Sequence, residues 1–200
     1  MKQFLTTLAA LLTCVLLLAA CSSTPSTVDE SSDMSGEFEN APEWVLSEGS
    51  NIEGSLAAVG SSKIGKAGVG SARRNAIAQG RNELASQVEV KVKTMVKNFT
   101  QEIGVGDDQT VDRVSVQASK QVAKKVLNGA QPQAFWQSPS NTIYELVVLD
   151  PESLKQYIKD SVDTSFKREE ALWQKYQAEK AWEELDKEAE KEFDEYKSDS

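Results

Sequence analysis

The chain has 200 residues, 31 acidic against 22 basic, for a net charge of −9, and it contains no histidine. An acidic surface lacks the Lys/Arg footprint on which phosphate binding depends, so nucleic acid is not an expected partner. The missing histidine removes the commonest general base, the commonest metal ligand and every Ser–His or Cys–His nucleophile pair, and no spacing of carboxylates or lysines takes their place. The composition therefore nominates no catalytic residue, no metal ligand and no cofactor, and an enzyme is not expected.

Residues 1–20 read as a targeting segment. Lys2 is followed by an uncharged apolar run over 4–18 and then by Leu18-Ala19-Ala20-Cys21. That order of charge, apolar stretch and small residues is a secretory signal, and the run is shorter than the roughly 20 residues that span a bilayer. A cysteine directly after Leu-Ala-Ala matches the bacterial lipobox. Leu18, Ala19 and Ala20 would be read by the peptidase. Cys21 would take diacylglycerol on its thiol and become the first mature residue. Cys14 competes poorly, because Leu-Leu-Thr precedes it and it lies inside the apolar run. Each buried methylene contributes about 0.8 kcal/mol, so two or three acyl chains such as palmitate hold a protein on a membrane where one myristoyl chain would not. Ser22, in place of an Asp, favours export to the outer membrane and leaves the periplasmic or surface face open. With Cys14 cut away and Cys21 acylated, no disulfide remains possible.

Residues 21–40 are rich in Ser, Thr, Asp and Glu and predict a disordered linker. A domain is expected over 41–160, opening at Ala41-Pro42-Glu43-Trp44-Val45. Residues 55–62 read as a short strand and 63–70, with three glycines, as a loop. Apolar residues at three-and-four spacing, from Ala72 through Leu84, Val88 and Val92 to Ile103, predict a helix over 71–103 with Ser71 as its N-cap. Val88-Glu-Val-Lys-Val also alternates like a strand, and Gly80 on the apolar side suggests close approach to a neighbour. A second helix fits 110–127, closed by Asn128-Gly129. Strands at 134–137 and 142–149 flank the turn Ser138-Pro139-Ser140-Asn141 as a hairpin. Asp150-Pro151 then starts a third helix over 151–166 and onward.

Residues 161–200 form a charged tail, and 167–197, free of Gly and Pro, predict one long exposed helix. Trp182, Leu185, Ala189, Phe193 and Tyr196 make a stripe suited to docking on another helix. A solvated helix, folded back on its own domain or left free, is the plainer alternative.

Two motifs weaken on inspection. Gly60-Ser-Ser-Lys-Ile-Gly65-Lys66-Ala67 nearly spells a phosphate-binding loop, but Ala67 stands where a magnesium-binding hydroxyl is needed. Asp107, Asp108 and Asp112 lack the longer alternation of oxygens that an EF-hand calcium loop requires and read instead as helix-capping residues.

Pro42-Glu43-Trp44-Val45, Ala58-Val59-Gly60-Ser61-Ser62, Ala72-Arg73-Arg74-Asn75-Ala76, Arg81-Asn82-Glu83-Leu84-Ala85 and the late pair Phe135-Trp136 with Tyr144-Glu145-Leu146-Val147-Val148 follow an order that resembles the LPP-twenty family of bacterial lipoproteins. The resemblance covers about 41–160. It implies a small α+β fold, a mainly antiparallel sheet with helices packed on one face, and it brings no catalytic residues. It also implies relatives among flagellar outer-membrane components, a basal-disk lipoprotein and a periplasmic ring protein included.

The expected function is that of a lipid-anchored, non-enzymatic envelope module, structural or protein-binding, with the C-terminal helix reaching a partner or a second copy. A periplasmic ligand binder, using a groove of Trp44, Trp136 and Tyr144, is the alternative.

Overall fold

The computed structural model describes residues 34–49, 56–104, 107–178 and 181–193. Three antiparallel strands, β1 (Leu56–Lys63), β2 (Gln131–Gln137) and β3 (Thr142–Leu149), form a sheet in the order β1-β3-β2. The hairpin is the one expected from Ser138-Pro139-Ser140-Asn141. Asn141 takes φ 61° at its end, a left-handed position that asparagine tolerates. β2 starts three residues earlier than its apolar residues suggest, and Pro132 sits at a register shift between Pro132 and Ala134.

One face of the sheet carries α3 (Gly68–Glu102), a helix of 35 residues. It begins at Gly68, ahead of the expected start at Ser71, and no side chain caps its first turn. Gly68 itself has φ 78°, so the left-handed turn of a glycine leads the chain in where a capping hydroxyl was expected. The ambiguous Val88-Glu-Val-Lys-Val segment is helical. Val88 and Val92, one turn apart, are buried while Val90 is 66% exposed, a helical division of the three valines.

Helix α3 crosses the sheet at two glycines. A Cβ on Gly60 would overlap the Ala76 carbonyl and the Gly80 amide, and one on Gly80 would lie 2.8 Å from Val147 Cγ2. Only hydrogen at both positions lets helix and strand backbones come this close, which is the neighbour expected at Gly80.

Helix α4 (Asp108–Gly129) returns along α3. The Asp107 side chain caps it, accepting from the Thr110 amide at 2.8 Å, and Asp112 pairs with Lys97 at 2.8 Å. The expected C-cap at Asn128-Gly129 is not one. Gly129 is the last helical residue, Ala130 follows in extended conformation, and a Cβ on Gly129 would strike the Tyr157 hydroxyl. That glycine makes room for a side chain. Helix α5 (Pro151–Phe166) starts where expected, with Asp150 accepting from the Ser153 amide at 2.9 Å, and packs on α4.

The long exposed C-terminal helix does not form. Residues 167–197 contain α6 (Glu170–Ala178) and α7 (Trp182–Phe193); Tyr196 lies outside the described residues. Leu172, Tyr176, Ala181, Leu185 and Ala189 are all buried in the same core as α3 and α5. The step from Tyr176 to Ala181 is five residues, not the three or four of its neighbours. A straight helix at about 100° per residue would swing one half of the stripe away from the core. One helix ends at Ala178 and the next begins at Trp182, the Ala181 amide donates to the Tyr176 carbonyl at 3.1 Å, and both halves face inward. Tyr176 sits edge-on to Phe166 (5.2 Å) and Phe99 (6.2 Å). From Ser35 onward the described residues pack as one unit, and α5 runs through the boundary expected at 160.

On the other face of the sheet lie two short turns, α1 (Met34–Glu37) and α2 (Glu43–Leu46). Contact with the hairpin begins before Ala41: Phe38 meets Tyr144 edge-on at 6.0 Å, and Ser140 Oγ donates to Glu37 at 2.8 Å.

Candidate interaction surface

Cys21, Leu18, Ala19 and Ala20 lie outside the described residues. The chemistry that can be described lies on the sheet and its borders.

Strand β3 alternates faces, so Ile143, Glu145, Val147 and Leu149 all point toward α3, and all four are buried. A glutamate in this row would be costly without a partner. Arg73, from the first turns of α3, supplies one: its Nε donates to Glu145 Oε1 at 2.6 Å, with the arginine side chain 42% exposed and the glutamate 1%. The guanidinium also lies 4.3 Å over the ring of Phe135, the β2 residue paired with Glu145. Glu145 Oε2 is buried without a hydrogen bond. The period-two pattern of 143–149 already placed Glu145 among the apolar residues; that was the signal for a buried ion pair, and only the fold could name Arg73.

The opposite face carries Trp136 and Tyr144. Trp136 packs on Tyr144 at 5.5 Å, and Phe38 covers the other side. Burial, and secondarily the nearby Glu37 carboxylate, pushes the Tyr144 phenol above its ordinary pKa. Glu37 is held below the usual carboxylate range, chiefly by a hydrogen bond from Ser138 and also by Ser140. A groove of about 330 Å³ opens beside Tyr144, between Phe38, Val45, Val59 and the polar side of α3 at Gln79 and Glu83. Of the three aromatics expected in a groove, Tyr144 lines it and Trp136 packs behind it. Trp44 is half-buried on α2 and does not join them. Phe38, which does, stands in the segment expected to be linker.

The near phosphate loop is no loop at its first glycine, since Gly60 is a strand residue pinned under α3. In the tail, Leu185 and Ala189 of the expected docking stripe are buried against the chain's own core. Trp182 stays 44% exposed with Lys159 Nζ 4.8 Å above its ring.

The model of the LPP20 lipoprotein family matches residues 42–150, more than half of the chain. The chain belongs to the LPP20 lipoprotein family. No curated relative and no solved structure matches it. The LPP20 region runs from just before α2 to the cap of α5. It holds the whole sheet with α3 and α4 and leaves out α5, α6 and α7. The fragments that carry the resemblance meet in space within it. Gly60 of the first strand lies under Gly80, Arg73 reaches Glu145 and Phe135, and Arg81 Nε donates to the Ala130 carbonyl at 2.9 Å at the entry to β2. The LPP20 fingerprint thus marks the seam between α3 and the sheet. Membership makes this a lipoprotein, and among the described residues no helix is long and apolar enough to cross a membrane.

Proposed function

We propose that this LPP20 chain is an outer-membrane lipoprotein, cleaved before Cys21 and held by acyl chains on that residue, and that it works as a non-enzymatic structural or protein-binding module of the envelope. The observation that carries the reading is the order of its parts: Leu18-Ala19-Ala20-Cys21, then a polar stretch, then a domain of a lipoprotein family. Ser22 supports sorting to the outer membrane, and the lack of any histidine supports a role without catalysis. Protein contact through the charged tail, through its half-exposed Trp182 or the polar side of α7, belongs to the same proposal. A sharper version places the chain in a flagellar disk or ring, and deletion of the gene with unchanged motility would remove that version alone. The anchor is tested by labelling cells with radioactive palmitate and fractionating their membranes. Label and outer-membrane recovery should both be lost in Cys21→Ser, and retention of either would refute the anchor.

A second reading, a periplasmic ligand binder, draws on the groove beside Phe38 and Tyr144. Tyr144→Ala would then abolish ligand-induced quenching of the fluorescence of the adjacent Trp136.

A further inference from the structure

We propose that two copies of this chain pair antiparallel through the free edge of β2, at residues 133–137, joining their sheets into one. The inference rests on the reading of the chain as an envelope interaction module and names its partner.

The two edges of the sheet are finished differently. At the end of the hairpin the Ser138 amide donates to the Thr142 carbonyl at 2.8 Å, and the Ile64 amide donates to Asn141 at 2.8 Å. With strict alternation along antiparallel strands, these bonds direct the backbone groups of Ala134 and Trp136 toward β3 and those of Phe135 and Gln137 outward. On β1 the same alternation sends Ser61 outward, and there the Gln79 side chain accepts from the Ser61 amide at 3.0 Å. Helix α3 plugs that edge. Among the described residues no side chain does the same for Phe135 or Gln137, and β3 is the main neighbour of β2.

The usual protections of an edge strand are absent from this half of β2. Proteins blunt free edges with charges, prolines or bulges. Pro132 and the adjacent register shift blunt the first residues, but nothing comparable follows. From Gln131 to Asn141 there is no charged residue, although 26% of the chain is charged and its net charge is −9. Elsewhere a second acidic copy would be repelled; along this strip the nearest charge is the Arg73 guanidinium over Phe135, which is already paired with Glu145.

The side chains point to the same occupant. Phe135 is 52% exposed and lies on the α3 side of the sheet, under the Arg73 guanidinium. A two-fold axis perpendicular to the sheet keeps that side common to both copies. The two Phe135 rings then come together on one face and cover each other, the self-complementary arrangement that an isologous dimer requires. Anchoring in one membrane raises the effective concentration of copies.

The test is the mass of the mature lipidated chain in detergent micelles, measured by sedimentation over a range of concentrations, with two variants. Phe135→Pro removes an outward amide without touching a bond to β3. Gln133→Lys with Gln137→Lys places like charges opposite one another on the facing strands, at exposed positions where folding is not at stake. Wild type should dimerise, and each variant should weaken the dimer by about tenfold or more, while the lysine variant, compared with wild type at a dilution where both are monomers, melts at the wild-type value. A wild-type chain that is monomeric at every concentration overturns the proposal. So does a dimer that both variants leave intact, or a monomer that instead takes up another protein's strand on β2. None of these outcomes touches the anchor, which is read by fractionation of Cys21→Ser.

Discussion

Arg73 Nε lies 2.6 Å from Glu145 Oε1, tying the first turns of α3 to the central strand across 72 residues of sequence. The carboxylate is buried and the guanidinium half in water, so the pair is asymmetric. Removing the arginine strands a charge in the core, whereas removing both groups strands nothing. Arg73→Ala should therefore destabilise by about 2–3 kcal/mol, below the ~3–5 for a pair buried at both ends, and Arg73→Met with Glu145→Leu should return to within about 1 kcal/mol of wild type. Urea unfolding of the three proteins measures both. A double variant no more stable than Arg73→Ala would show that the pair matters for something other than charge.

The crossing of α3 over β1 is steric. Gly60→Ala pushes a methyl into helix backbone, which cannot yield as a flexible side chain can, and should cost about 3 kcal/mol or more. Gly65→Ala is the control, with nothing within 4 Å of its Cβ and no positive φ. Thermal melts that rank the two equally would contradict the crossing.

Tyr176 is the plug that seats the tail. Its ring packs edge-on against the stacked pair Phe99 and Phe166, and Tyr176→Ala should cost about 3–5 kcal/mol and expose those two rings. Hydrogen exchange should then quicken in α6 and α7 ahead of α3 and α4. Uniform loss of protection along the chain would mean that the tail has no separate stability.

The same residue gives a pH dependence. Burial first, and the nearby Asp163 second, raise the Tyr176 phenol well above its ordinary value of 10.0. The folded chain therefore keeps this proton after the unfolded chain has released it. The contribution is intact below about pH 10 and is lost as pH rises from there toward the folded value. Stability measured from pH 9 to 11.5 should fall more steeply in wild type than in Tyr176→Phe. Parallel slopes would count against it.

Asp150 caps α5 through the Ser153 amide and hydroxyl, and these bonds hold its carboxyl below the usual carboxylate range. Its contribution is present above the unfolded pKa near 3.8 and is lost as pH falls through the lower folded value. Asp150→Ala should cost about 0.5–2 kcal/mol at neutral pH and Asp150→Asn much less. Equal losses would mean that charge, not capping, is what matters.

Local chemistry was legible wherever it acts over a few residues. Asp150-Pro151 marked the start of α5, Ser138-Pro139-Ser140-Asn141 marked the hairpin, and the three-and-four spacing marked α3 and α4, because caps, turns and amphipathic faces are written in neighbouring positions. The order of LPP20 fragments was legible in the same way. The misreadings have other causes. Ser71 lost to Gly68 as the start of α3, Gly129 turned out to serve Tyr157 rather than a helix end, and the uninterrupted tail bent at Ala181. The first was decided by the left-handed φ of Gly68 itself, the other two by what another part of the chain places alongside.

The amino-acid order by itself determined the class of this protein: an acidic, histidine-free chain with Leu-Ala-Ala-Cys after an apolar run, an α+β pattern and a family fingerprint. Only the tertiary structure decided that Arg73 answers Glu145, that the tail's apolar stripe serves its own core, and that β2 is left with an open edge. Those are relations between residues tens of positions apart. Their energies depend on distance and burial, which no local pattern of sequence contains.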